Sequence, residues 1–340
     1  MKTKIINIVK FLVFIGLGIF LLWWVYKDKD MNQVKNAFRN TNYFWIVVSA
    51  LIFVISNWSR AVRWSILLET LGKKPKLYNS FHSVMIMYLA NLALPRLGEV
   101  SRCGIIKKYE GISFTQAVGT VVVERIADVL MLLILLVLVI ITQMGTLLDF
   151  LKQNPEVSAK LDSIASHWLT WTIAGLALIA MVIVAYKFRY IVSHFKIYQK
   201  ITGVFKSLLN GMKTIKNLEG KLFAFFLHSI IIWLTYYLMM YFSFFAFQST
   251  SHLSLSTALM LLVMSSLGMI APVQGGVGPW DFMIVHTLML YNISTNDGTD
   301  FAIVVHASMI VMQIIGGCVA LIMLPRLNKN VVVAQNDTDD

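Results

Sequence analysis

Charge is scarce in this sequence. Asp, Glu, Lys and Arg make up 14% of the 340 residues, where a soluble domain averages about 25%. Hydrophobic residues reach 58%, and the mean hydropathy is +0.72. This balance excludes an ordinary soluble protein and describes an integral membrane protein. Cysteine is almost absent: Cys103 and Cys318 both sit in or beside apolar segments, which excludes a disulfide framework or a zinc site. The seven histidines are scattered without HExxH spacing, so no metal site is expected. There is no Walker A motif, no dinucleotide-binding glycine fingerprint and no GxSxG. ATP-driven pumping, a nucleotide cofactor and a serine nucleophile are therefore not expected, and no residue is assigned as catalytic. The net charge of +12 comes from Lys and Arg in short loops between apolar runs. That placement favours membrane topology and anionic headgroups over nucleic acid.

What is present is a series of apolar runs. A transmembrane helix needs about 20 mostly apolar residues. Runs of this kind cover Ile5 to Tyr26, Phe44 to Leu68, Phe114 to Thr142, Trp168 to Tyr186, Lys221 to Phe247 and Phe301 to Leu324. The first follows Lys2, Lys4 and Lys10 and ends in Trp23, Trp24 and Tyr26. These are large aromatics where a cleaved signal would need small residues, so an uncleaved helix is expected within residues 1–30. Between the runs, 27–42 and 143–167 read as polar loops. Residues 187–220 read as a basic amphipathic helix on anionic inner-leaflet lipids, with apolar positions at helical spacing among many lysines. The Lys and Arg distribution places both termini, the 73–76 turn and the tail at 325–340 in the cytoplasm. The expected organisation is one membrane domain, with a first half over 31–186 and a second half over 221–324.

Two segments are apolar but interrupted. Residues 80–110 run into Pro95 and Gly98, and residues 253–292 run into Pro272 to Pro279, which hold three glycines. Both read as re-entrant helical hairpins, because broken backbone at membrane depth survives only where protein or a water-filled cavity satisfies it. The breaks resemble each other: Pro95 aligns with Pro272, Gly98 with Gly275 and Val100 with Val277. The fold expected is all-α and polytopic, with about six full transmembrane helices and two re-entrant hairpins arranged as an inverted repeat. In such repeats the site lies between the broken helices.

Charges in the apolar segments mark the candidate site. Asn57, Arg60 and Arg63 lie in the second run. Asn91, Arg96, Glu99 and Arg102 flank the first break. Glu124, Arg125 and Asp128 lie in the long run, with the two acids one helical turn apart. Gln274, Gly275, Gly276 and Asp281 form the second break. Arginine suits phosphate through its planar fork, and backbone amides at a helix start bind anions. Asp281 also has a simpler reading as a helix-dipole partner, and the carboxylates as ion-pair partners or proton carriers. Five cations (Arg60, Arg63, Arg96, Arg102, Arg125) face four acids (Glu99, Glu124, Asp128, Asp281), which leaves one positive charge for a phosphodiester.

The segments NWSRAVRW (57–64), NLALPRLGEVSR (91–102), VVVERIAD (121–128) and PVQGGVGPWD (272–281) together resemble one family. It is the flippase-like transmembrane domain of lysylphosphatidylglycerol synthases and its stand-alone relatives. The resemblance runs from about Met31 to Leu324. It implies a cytoplasmic-membrane protein that moves or binds a phospholipid or polyprenyl-phosphate lipid. The synthases carry a soluble aminoacyl-transferase domain after this region, and the chain ends shortly after Leu324, so lysine transfer is not expected of it. Asp281 stands where the family motif often has Glu. The function expected is lipid translocation, with Arg60, Arg96 and Arg102 on phosphate and Glu99, Glu124 and Asp128 orienting them or carrying protons. The alternative is a membrane-embedded enzyme, or an accessory subunit of an envelope lipid synthase, acting on a lipid-linked phosphate.

Overall fold

A computed structural model describes residues 31–94, 96–153, 163, 218, 220–271 and 273–329. Among them the chain is all-helical. The helices are α1 (Met31–Arg39), α2 (Tyr43–Glu69), α3 (Leu77–Ala93), α4 (Leu97–Glu110), α5 (Phe114–Gln153), α6 (Leu222–Phe244), α7 (Leu255–Gly268), α8 (Pro279–Met289) and α9 (Thr295–Leu327). A short 3-10 turn, Gln274–Gly276, lies between α7 and α8.

Among the described residues four helices, α2, α5, α6 and α9, are long and apolar enough to cross a membrane, and the protein is a multi-pass membrane protein. The expected spans at Ile5 to Tyr26 and Trp168 to Tyr186 lie outside the described residues. So do the basic helix at 187–220, apart from Leu218 and Gly220, and the tail from 330 onward. On α5, Val129, Leu133, Val137 and Ile141 are exposed every fourth residue. This is one apolar helix face of the kind that meets lipid.

Two loops differ from expectation. The segment 27–42 contains α1, whose Ala37 is buried against α9 residues and whose Gln33 Nε2 donates to Asp300 at 3.1 Å. The polar stretch from Gln143 onward does not end α5. Gln143 leaves helical geometry (φ −124°, ψ 17°), yet the helix resumes and continues to Gln153. The kink at Gln143 is held from across the fold, where Tyr291 Oη donates to its Oε1 at 3.2 Å.

Both interrupted segments are helical hairpins. In the first, Leu94 is extended, as a residue before proline must be, and Arg96 turns the chain with φ 66°. The return helix α4 lies so close to α3 that a Cβ on Gly98 would sit 2.1 Å from Met87 O. It ends beside its start: Glu110 Oε1 accepts from Lys76 N at 3.1 Å and from Asn79 Nδ2 at 2.6 Å. In the second, Pro279 opens α8, where its missing N–H costs nothing. A Cβ on Gly268 of α7 would sit 2.8 Å from Pro279 O, so Gly268 marks the close approach here. Leu290 and Tyr291 return to Leu259 and Met260.

The hairpins open toward opposite ends of α9. The first has its open end at Asn79, which exchanges hydrogen bonds of 3.0 and 2.7 Å with Asn328 just past α9. The second has its open end at Tyr291, four residues before α9 begins. Their tips touch: Gln274 Nε2 donates to Ala93 O at 3.3 Å, and Leu92 packs on Gly275.

Candidate functional site

The charged residues of the straight helices converge. α2 and α6 share the most extensive helix packing, and α5 and α4 close against them. Glu124 and Asp128 point inward from α5. Glu124 lies 2.6 Å from Arg102 Nη2 of α4 and 3.5 Å from Arg63 Nε of α2. Asp128 lies 2.8 Å from Arg63 Nη1 and 3.6 Å from Arg60 Nη1. The side chains of Arg63, Arg102 and Glu124 are fully buried, and that of Arg60 is 6% exposed.

Aromatic and hydroxyl groups complete this cluster. The Trp64 ring lies 4.6 Å from the Arg102 guanidinium, and Trp64 Nε1 donates to Thr120 Oγ1 at 3.0 Å. Arg63 lies over Phe225 and donates to Ser229 Oγ at 3.2 Å. Arg60 Nη2 donates to Tyr236 Oη at 2.7 Å, and Tyr88 Oη lies 3.4 Å from Tyr236 Oη. Buried charge is tolerable only when paired and hydrogen-bonded, and here the pairing is incomplete. Arg60 Nε, Arg63 Nη2, and Arg102 Nε and Nη1 have no hydrogen-bond partner among the described residues.

The count of charges is more specific than the sequence allowed. Three buried arginines face two carboxylates. Arg63 and Arg102 neutralise Glu124 and Asp128 at short range, and Arg60 is the surplus cation at the longest distance. Arg125 is 44% exposed and reaches Asp128 only at 3.7 Å. Asn57 is buried and turned onto its own helix, with Nδ2 donating to Phe53 O at 2.8 Å.

The remaining sequence candidates lie at the hairpin tips. Asn91 Oδ1 accepts from Gly98 N at 2.7 Å and so ties α4 to α3. Arg96 is exposed in its left-handed turn and has no ion-pair partner among the described residues. Glu99 has one buried oxygen without a partner there. In the second hairpin, Asp281 Oδ2 accepts from Gly278 N at 2.9 Å, and its Oδ1 lies 2.8 Å from His306 Nδ1. Gly275 O lies 3.0 Å from His306 Nε2, and Gly276 is buried against Met269 and Trp280. The fourteen candidates thus form two groups: a buried arginine cluster and a junction of hairpin tips.

Sequence reasoning did not assign Tyr236, Tyr88, Ser229 or His306 to a site. Tyr236 lies in an aromatic-rich run where nothing distinguishes it from a packing residue. His306 did carry a signal, an imidazole inside an apolar span, but its partner is 25 positions away. Among the described residues no group of His, Cys, Asp and Glu is arranged to hold a metal ion.

A family model described as the lysylphosphatidylglycerol synthase transmembrane region matches residues 7–317. No curated protein and no solved structure matches the chain.

Proposed function

The chain belongs to the lysylphosphatidylglycerol synthase transmembrane-region family, which makes it a membrane protein of lipid metabolism or transport, and on that premise we propose that it is a lipid translocase. Its cargo is a lipid whose headgroup carries an anionic phosphate, a phospholipid or a polyprenyl phosphate. It works in the cytoplasmic membrane with both termini in the cytoplasm, in keeping with the Lys and Arg distribution.

The observation that carries this reading is the surplus arginine. Arg60 is buried, its Nε has no partner among the described residues, and Asp128 already has Arg63 at 2.8 Å. A buried cation whose carboxylate partner is shared and 3.6 Å away is costly. A phosphate offers one negative charge and several acceptor oxygens, which match Arg60 and the Tyr236 and Tyr88 hydroxyls beside it. The opposed hairpins fit alternating access, in which one repeat moves against the other around a fixed site.

The test is lipid movement in liposomes holding the purified protein. One leaflet carries a fluorescent lipid, and an impermeant quencher reports its appearance on the other side. The protein is expected to accelerate an anionic phosphodiester lipid more than a zwitterionic one. Movement no faster than in protein-free liposomes would overturn the reading.

A further inference from the structure

We infer that Asp281 and His306 form a proton-binding site that latches the tip of the second hairpin to α9, and that this pair carries the proton of the transport cycle. The second half of this inference rests on the lipid-transport reading; the first does not.

The geometry fixes the proton count. Both ring nitrogens of His306 face acceptors: Nδ1 faces Asp281 Oδ1 at 2.8 Å, and Nε2 faces Gly275 O at 3.0 Å. A carbonyl oxygen only accepts, so Nε2 carries a proton. Asp281 Oδ2 accepts from Gly278 N, so the second proton lies on the line between Nδ1 and Oδ1, on the ring or on the carboxyl oxygen. A neutral imidazole has one N–H. The pair therefore holds two protons with a net charge of zero, and taking the second on Nδ1 gives an imidazolium against a carboxylate. Loss of one proton gives the pair a charge of −1. It also sets a ring lone pair against either Asp281 Oδ1 or Gly275 O, and one of the two contacts is lost.

The location gives that loss a consequence. The His306 side chain is 2% exposed and lies against Trp280, while that of Asp281 is 25% exposed, so the proton reaches the ring by way of the carboxylate. Gly275 adopts φ 61°, Gly276 82° and Gly278 90°, and the tip has only the short 3-10 turn Gln274–Gly276 of its own. It is held by His306, by the bond from Gln274 to Ala93 O, and by the Asp281 cap. Asp281 is the charged group facing His306. On the other elements packed on α9, Tyr88 of α3 lies against Tyr236 and His82 against Tyr78 O, Arg60 and Arg63 of α2 pair with Asp128, and Lys35 and Arg39 of α1 are exposed. On α8, His286 turns to Phe282 O of its own helix. Glu124 and Asp128 are paired with arginines, whereas Asp281 is paired with a histidine.

Two measurements on the full chain test this. In lipid nanodiscs with ¹⁵N-labelled histidine at about pH 7, one ring is expected to show two protonated nitrogens. That signal should vanish in H306Q and change to a neutral-ring pattern in D281N. Neutral patterns for every histidine, or a doubly protonated signal that survives H306Q, would overturn the site. In liposomes, reversing an imposed proton gradient is expected to change the lipid movement rate by at least about fivefold, and H306Q or H306N should remove that dependence. Movement by the wild type that ignores the gradient would overturn the coupling while leaving the site. Absence of lipid movement altogether would overturn the transport reading, and the histidine spectra would still decide the site.

Discussion

The two hairpins share a plan and divide the work. Each is a short helix, a break and a return helix, and each has one glycine where the helices nearly touch, Gly98 in the first and Gly268 in the second. The first break is short, turning at Arg96, and its return helix delivers Arg102 to a cluster held by ion pairs. The second break spans Met269 to Gly278 with three left-handed glycines, and its return helix delivers Asp281 to a histidine. The first hairpin thus ends in a stiff, charged, packed site. The second ends in a tip held by a few hydrogen bonds. Low local stability is where moving elements are drawn from, so in the proposed transport the first hairpin carries the headgroup site and the second is the moving element.

Removing a carboxylate from the arginine cluster should have the largest effect. Glu124→Ala leaves Arg63 and Arg102 buried against a single remaining acid, and breaking a buried pair costs about 3–5 kcal/mol. Thermal unfolding in detergent should show a large loss, and the double change Glu124→Gln with Arg102→Met should recover much of it. A double variant as unstable as Glu124→Ala would mean that charge pairing does not hold the cluster.

The close-approach glycines come next. Gly98→Ala should destabilise by about 1–3 kcal/mol through overpacking, because its Cβ would meet Met87 O. Gly268→Ala should cost less, since its nearest contact is at 2.8 Å rather than 2.1 Å. The reverse order in unfolding midpoints would place the tighter crossing in the second hairpin.

The smallest effect should be a gain. Arg96 is a non-glycine residue at φ 66°, a conformation that costs about 1 kcal/mol. Arg96→Gly should raise the unfolding midpoint slightly and leave headgroup binding unchanged. Loss of binding would place Arg96 on the headgroup, as its sequence position predicts.

Much of the fold could be read from the chain because bilayer physics writes plainly. Long apolar runs gave the described spans, and Pro95, Gly98 and the glycines at 275–278 marked both hairpins. The arginines and acids at 60, 63, 102, 124 and 128 stood out because charge is rare in such helices. What stayed hidden depended on direction and distance. Arg96 looked equal to Arg102, but the left-handed turn at Arg96 aims it outward. The Trp64 ring lies under Arg102 of another helix, a pairing that no spacing along the chain marks. His306 gave no hint of Asp281, because their pairing exists only once the second hairpin folds back on α9. Gln143 looked like a helix end because it is polar, but Tyr291 meets that polarity and α5 continues.

The central claim is that the surplus arginine takes an anionic headgroup, and lipid retention through gentle purification tests it most directly. Arg60→Gln leaves Arg63 and Arg102 against Glu124 and Asp128, so the variant should fold. Loss of one or two charged hydrogen bonds, about 1.5–3 kcal/mol, corresponds to at least about tenfold weaker binding. Native mass spectrometry of wild type and R60Q should show an anionic lipid retained by the first and depleted at least about tenfold in the second, with zwitterionic lipid unchanged. Equal retention of the anionic lipid by both proteins would contradict the account.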